Sequence, residues 1–179
     1  MTTQTIIYVP DERLRQKANT ITQFSAEIKL LAADMLETMR SYDGVGLAGP
    51  QIGVMRRIFV AEIPAVEGET DQPLPPRGES YVLINPELIK TSTNLVEGQE
   101  GCLSIPHWAG LVERPEWVEV KAQDVEGQPF TLKAAGLLAR VFLHEMDHLN
   151  GILYTDHITD PEKLWEVTMV DEELQPEVN

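Results

Sequence analysis

Residues 144–148 read His-Glu-Met-Asp-His, and the chain's single cysteine, Cys102, stands upstream in Glu-Gly-Cys-Leu-Ser. Together they supply two imidazoles, a thiol and a carboxylate, the groups needed to hold one transition-metal ion and activate water beside it. On an α-helix, residues i and i+4 are about 40° apart in rotation, so His144 and His148 leave one face and can grip the same ion. Glu145 lies about 60° round from His148, within reach of a water on that ion without being a ligand. Cys102, His144 and His148 are therefore the candidate metal ligands, and Glu145 the candidate general base. Three such ligands leave the fourth position of a tetrahedral ion for water, a catalytic arrangement and not a closed structural one. The bland alternative is a pair of core histidines bonded to each other. Neither remaining histidine sits at ligand spacing: His157 is assigned to the surface, and His107, five residues past Cys102, is a candidate for the site's rim.

Holding these groups requires a helix under the histidines. Over 134–150, Leu137, Val141, His144 and His148 fall at i, i+4, i+7 and i+11, one stripe expected to face the core, and Gly151 follows as a stop. A second helix is predicted after a Ser25 cap, with Ile28, Leu31, Met35, Met39 and Tyr42 at helical spacing. Pro10 to Arg13 should open a shorter one. Strands are expected over 57–61, over 81–85 where Pro86 should close the strand, and over 94–97. A hairpin is expected of 117–122 and 129–133, turning through 125–127. The glycine-rich stretch 44–53 lacks the Lys-Ser/Thr of a phosphate loop and the dinucleotide spacing. Its glycines are expected to let backbone approach a ligand, with Gln51 as a polar finger. Residues 62–80, with four prolines and scattered acids, read as a long irregular loop. Strands early and a major helix late, without β–α alternation, predict an α+β fold: antiparallel sheets around a C-terminal metal-binding helix, with N-terminal helices.

The length of 179 residues predicts one domain over 1–179, with an acidic tail from about 160 to 179. One cysteine excludes an internal disulfide framework and suits a reducing compartment. No secretory signal and no bilayer-length apolar run is visible, so a cytoplasmic protein without membrane association is expected. The formal net charge of −15 disfavours a nucleic-acid partner, because phosphates repel an acidic surface.

Three segments in order, Gly44-Val-Gly-Leu-Ala-Gly-Pro-Gln51, Glu100-Gly-Cys-Leu-Ser104 and His144-Glu-Met-Asp-His148, resemble the motifs of peptide deformylases. The resemblance spans roughly residues 6 to 158. It implies a hydrolase that removes the formyl group from N-formylmethionine of nascent polypeptides, near the ribosome exit, and releases formate. It implies Fe²⁺ as the ion, for which Zn²⁺, Ni²⁺ or Co²⁺ can substitute; the donors alone suit zinc equally well. It also implies that the Leu103 N–H and the Gln51 amide stabilise the oxyanion, and that Glu145 passes the water's proton to the departing amine. Val45, Gly46, Leu137 and Val141 would form the methionine pocket. Substrate backbone would pair with Gly46 on one side and the segment from Gly98 to Gly101 on the other. Glu100 and Arg114 would form a supporting pair beside Cys102. A crowded site would reject acetyl by clash. Two positions depart from the family pattern: Leu143 where Gln is common, which removes a hydrogen bond near the metal, and Gly49 where Ala is usual.

Two rival readings follow from the same residues. A metallopeptidase also uses H-E-x-x-H, although a thiolate ligand and the lack of a further downstream His or Glu at peptidase spacing argue against it. A non-catalytic binder of formylated N-termini would have no need of Glu145.

Overall fold

The computed structural model describes residues 2–63 and 78–167. Most of the 62–80 loop and the tail beyond Val167 therefore lie outside the described residues. The first long helix, α1 (Ala26–Ser41), buries Ile28, Ala32, Met35 and Met39. Leu31 is only partly buried, and Tyr42, the last residue of that spacing, is the C-cap residue and is exposed at the edge of the cleft described below. Ser25 is the N-cap as expected, but its hydroxyl makes no capping bond; its backbone carbonyl accepts from Ile28 and Lys29 instead. Before α1, Asp11 caps the short 3-10 turn Glu12–Arg15 by accepting the Arg13 N–H at 2.9 Å.

Strands β1 (Gly46–Ala48), β2 (Ile58–Glu62), β3 (Ser80–Thr91), β6 (Trp117–Gln123) and β7 (Pro129–Ala135) form one sheet in the order β1-β2-β3-β6-β7. Every neighbouring pair in it is antiparallel. The expected hairpin is β6–β7. Pro86 does not close β3. Asn85 takes a left-handed φ of 50° and the register against β6 shifts between Ile84 and Glu87, so the strand kinks and resumes on the far side of the proline. The Asn85 amide holds that kink, accepting from Ile21 N–H at 2.8 Å and donating to Ile21 O at 2.7 Å.

A second sheet, β4-β5-β8, consists of β4 (Leu95–Cys102), β5 (Ile105–Pro115) and β8 (Leu164–Glu166). The strand expected over 94–97 thus runs on to the cysteine. Sequence gave no warning of β5, which contains Pro106, Gly110 and Pro115. β8 lies where the acidic tail was expected: 161–163 form a 3-10 turn and 164–166 pair with Trp108, Ala109 and Gly110.

Helix α2 (Gly136–Leu149) lies against β1, β2 and β7 of the first sheet and β5 of the second. Its apolar side, with Leu138, Ala139, Phe142 and Leu149, enters the main core beside Phe59, Leu83 and Val118. Phe142 meets the Phe59 and Tyr81 rings edge-on. Fully burying a residue such as Phe142 contributes about 1.5–3 kcal/mol. Asn150 caps the helix and Gly151 follows at φ 75°, the expected stop. No helix among the described residues is long and apolar enough to cross a membrane.

Candidate metal centre

Three segments converge on one cleft. The turn after β1, a 3-10 turn Gly49–Ile52, brings Gln51; the end of β4 brings Cys102; and α2 brings His144, Glu145 and His148. One ligand atom each from Cys102, His144 and His148 lie within 4.8 Å of one another. The Cys102 Sγ is 3.2 Å from His148 Nε2. His144 Nδ1 is engaged by Glu100 Oε2 at 2.8 Å, which leaves Nε2 as the nitrogen for an ion. A soft sulfur and two imidazole nitrogens at this separation fit a divalent transition ion.

The two buried imidazoles are shifted in opposite directions. Burial lowers the pKa of His144, but its bonds to Cys102 and Glu100 outweigh that and hold it well above the usual imidazole value. His148, buried and beside His144, is held well below it and stays neutral. Burial pushes Glu145 up to about 7 against the pull of His144. Its Oε2 is buried without a hydrogen-bond partner among the described residues.

Gln51 is almost fully buried. Its Oε1 accepts the Ala48 N–H at 2.7 Å, and its Nε2 faces the Cys102 sulfur at 3.5 Å. Leu103 follows directly on the cysteine and lines the same cleft, whose volume is about 540 Å³. Val45, Gly46, Leu137, Val141 and Gly101 also line it. Leu137, expected on the buried stripe, is 49% exposed because it stands at the cleft mouth. Gly98 stands one residue before the stretch 99–101 that lines the cleft. It lies beneath the guanidinium of Arg140. His107, at φ 65°, lies on the rim.

Glu100 and Arg114 are both buried and joined by two bonds, Nε to Oε1 at 2.9 Å and Nη2 to Oε2 at 3.0 Å. Around this pair stand residues that pattern reading missed. Arg114 Nη1 donates to Asp147 Oδ2 at 2.7 Å, and the same oxygen lies 2.8 Å from His157 Nε2. His157 is therefore half-exposed and tied into the network, not simply on the surface. Arg140 Nη1 gives Glu100 Oε1 a further partner at 2.9 Å. The Tyr154 ring stacks on His144 with centroids 6.0 Å apart. Asp147 was visible inside the histidine motif; nothing local in sequence pointed to Arg140 or Tyr154.

The two departures have local structural settings. Leu143 is partly buried against the main core cluster, in an apolar place where an amide would need partners. A Cβ on Gly49 would lie 2.7 Å from Val54 O and 2.9 Å from Arg56 O, so the approach of that loop requires glycine.

A paired thiol and imidazoles, with a buried carboxylate on the same helix, define a site able to take one metal ion and move a proton beside it. The family model described as Polypeptide deformylase matches residues 3–164. A peptide deformylase of Thermomicrobium roseum is 47% identical over 173 residues, covering 97% of this chain and 96% of the relative. That of Agrobacterium fabrum is 46% identical over 159 residues, 89% of each. The crystal structure of peptide deformylase from Thermotoga maritima superposes with a TM-score of 0.80 at 36% identity, covering 89% of this chain and all of that one. The Ehrlichia chaffeensis peptide deformylase in complex with actinonin gives 0.82 at 36%, over 91% and 92%. The chain belongs to the polypeptide deformylase family and is an enzyme of that family.

Proposed function

We propose that this chain, acting as one catalytic unit, hydrolyses the formyl amide of N-formylmethionyl peptides to formate and a free amine. The observation that carries the reading is the pairing of a Cys102–His144–His148 donor set with the buried Glu145 carboxylate, whose Oε2 has no partner among the described residues. Cys102, His144 and His148 would hold one Fe²⁺, for which Zn²⁺, Ni²⁺ or Co²⁺ can substitute. When bound, the ion supplies Lewis acidity, polarising the carbonyl and making water nucleophilic near neutral pH.

The chain's own groups do the rest. Glu145, with a pKa raised by burial to about 7, takes the proton of the attacking water and returns it to the leaving nitrogen. Gln51 has its carbonyl oxygen fixed by Ala48, so its amide N–H₂, one proton of which faces the Cys102 sulfur, is the end that would donate to the oxyanion, alongside the Leu103 N–H. Losing one such donor costs about 3–4 kcal/mol of transition-state stabilisation. Glu100 fixes the His144 tautomer, and Arg114 holds Glu100.

The methionine side chain would enter between Val45, Gly46, Leu137 and Val141. The peptide backbone would run between Gly46 and the Gly98–Gly101 segment, as an added strand. The physiological substrates would be nascent chains near the ribosome exit in the cytoplasm, with no direct contact to nucleic acid or membrane.

Glu145→Gln keeps the shape and removes the base. It is expected to retain one metal ion per chain and to lose about 10²–10⁴-fold in kcat on formyl-Met-Ala. Full turnover by the variant would end the general-base assignment. An unformylated peptide assayed in parallel should stay intact; its internal cleavage would favour the metallopeptidase reading.

A further inference from the structure

We infer that Arg140 is a positioning residue that sets the edge of β4 for substrate backbone, so that it governs how strongly peptides longer than a dipeptide bind. The inference rests on the reading of Gly98–Gly101 as the strand to which substrate adds. Arg140 projects from α2 with its side chain only 11% exposed, and its guanidinium lies along β4. Nη2 donates to Val96 O at 2.7 Å, and Nη1 contacts Gly98 O at 3.2 Å, Glu100 Oε1 at 2.9 Å and Val112 O at 2.7 Å. One planar head thus ties three alternate residues of β4 to its neighbour β5 and to the helix carrying His144 and Glu145. Arg suits this place because its fork is rigid and always charged; a lysine ammonium could not span the same acceptors.

Gly98 supplies a second, independent observation. A Cβ there would lie 2.7 Å from Arg140 Nη2, 2.9 Å from Cζ and 3.0 Å from Nε. The strand is therefore bare of side chain where the guanidinium lies on it. Among the described residues β4 has β5 as its one strand neighbour in the sheet order, so apart from Arg140 no described strand holds its other edge in line. A peptide adding to that edge meets a strand whose carbonyls and pitch are set by one arginine.

The test uses the full chain loaded with metal, the variants Arg140→Met, Arg140→Lys, Gly98→Ala and Gly98→Ala/Arg140→Met, and the substrates formyl-Met-Ala and formyl-Met-Ala-Ser. In the parent enzyme the longer peptide should have the lower KM. Arg140→Met should raise KM for the longer peptide about tenfold, the worth of one or two backbone hydrogen bonds. Its KM for formyl-Met-Ala should rise less than for the longer peptide, with metal content still one per chain. Arg140→Lys should not restore the lower KM. Gly98→Ala displaces the guanidinium while keeping it in the protein, and should raise the same KM; the double variant should be no worse than Arg140→Met. If Arg140→Met does not fold, Gly98→Ala decides by the same readout.

A parent enzyme that favours the longer peptide while the variants keep that preference in full overturns the inference alone. Strictly additive losses in the double variant do the same. A parent enzyme that treats both lengths alike overturns the added-strand reading and the inference with it, and turnover of neither formyl peptide overturns the proposed function.

Discussion

At the residue scale, Glu100 has more partners than any other acid near the cleft: Arg114 through two bonds, Arg140, and the His144 ring. Burial alone would raise its pKa, but the bonds to His144 and Arg114 prevail and hold it at about 2. A carboxylate depressed below its unfolded value of 4.5 contributes stability that is fully present above that value. The contribution is lost as pH falls through about 2. Urea unfolding of metal-stripped protein should therefore show stability declining between pH 4.5 and 2. Arg114→Met should be about 3–5 kcal/mol less stable at pH 5, because it strands a buried charge, and should show a shallower decline. Parallel pH curves for the two proteins would mean that Arg114 does not set the Glu100 pKa. The pairing of Glu100 with Arg114 entered the sequence reading through family resemblance, and Gln51 did so as an oxyanion donor. Spacing alone marked only His144, Glu145, His148 and the lone Cys102. Arg140 was opaque because an arginine on an amphipathic helix looks like a solvated face until the strand beneath it is known.

At the scale of elements, the site depends on how closely β1 approaches α2. A Cβ on Gly46 would come within 2.9 Å of Val141 Cγ1 and of Glu145 Cδ. Gly46→Ala must therefore push Glu145 or β1 aside. It is expected to lower kcat on formyl-Met-Ala by about 10²-fold, the cost of a misplacement near 1 Å, while metal content is unchanged. Activity within twofold of the parent would show that β1 has room to yield. Helix α2 and the β6–β7 hairpin were legible because each carries its own periodicity and punctuation, from Leu137 to His148 and through the turn at 125–127. β3 was misread at Pro86, since its continuation relies on Asn85 bonding to the distant Ile21. β5 and β8 were missed because their pairing partners, not their own patterns, make them strands: Trp165 of β8 has no stripe of its own, only Ala109 opposite.

At the scale of the whole molecule, two antiparallel sheets hold one helix between them, and the cleft opens where the end of β4 faces the turn after β1. No single segment contains the site, so the fold itself brings sulfur, imidazoles and amide together. The α+β class was readable from the order of strands and helix; the partition of the eight strands of the described residues into a five-stranded and a three-stranded sheet was not, because register depends on long-range pairing. The most direct measurement is formate release from formyl-Met-Ala by anaerobically purified protein, with metal analysis of the same sample, for the parent chain and Cys102→Ala. One ion per chain and formate equal to free amine are expected of the parent, with both ion and formate lost in Cys102→Ala. Stoichiometric metal in the variant, or formate released by metal-free protein, would contradict the account.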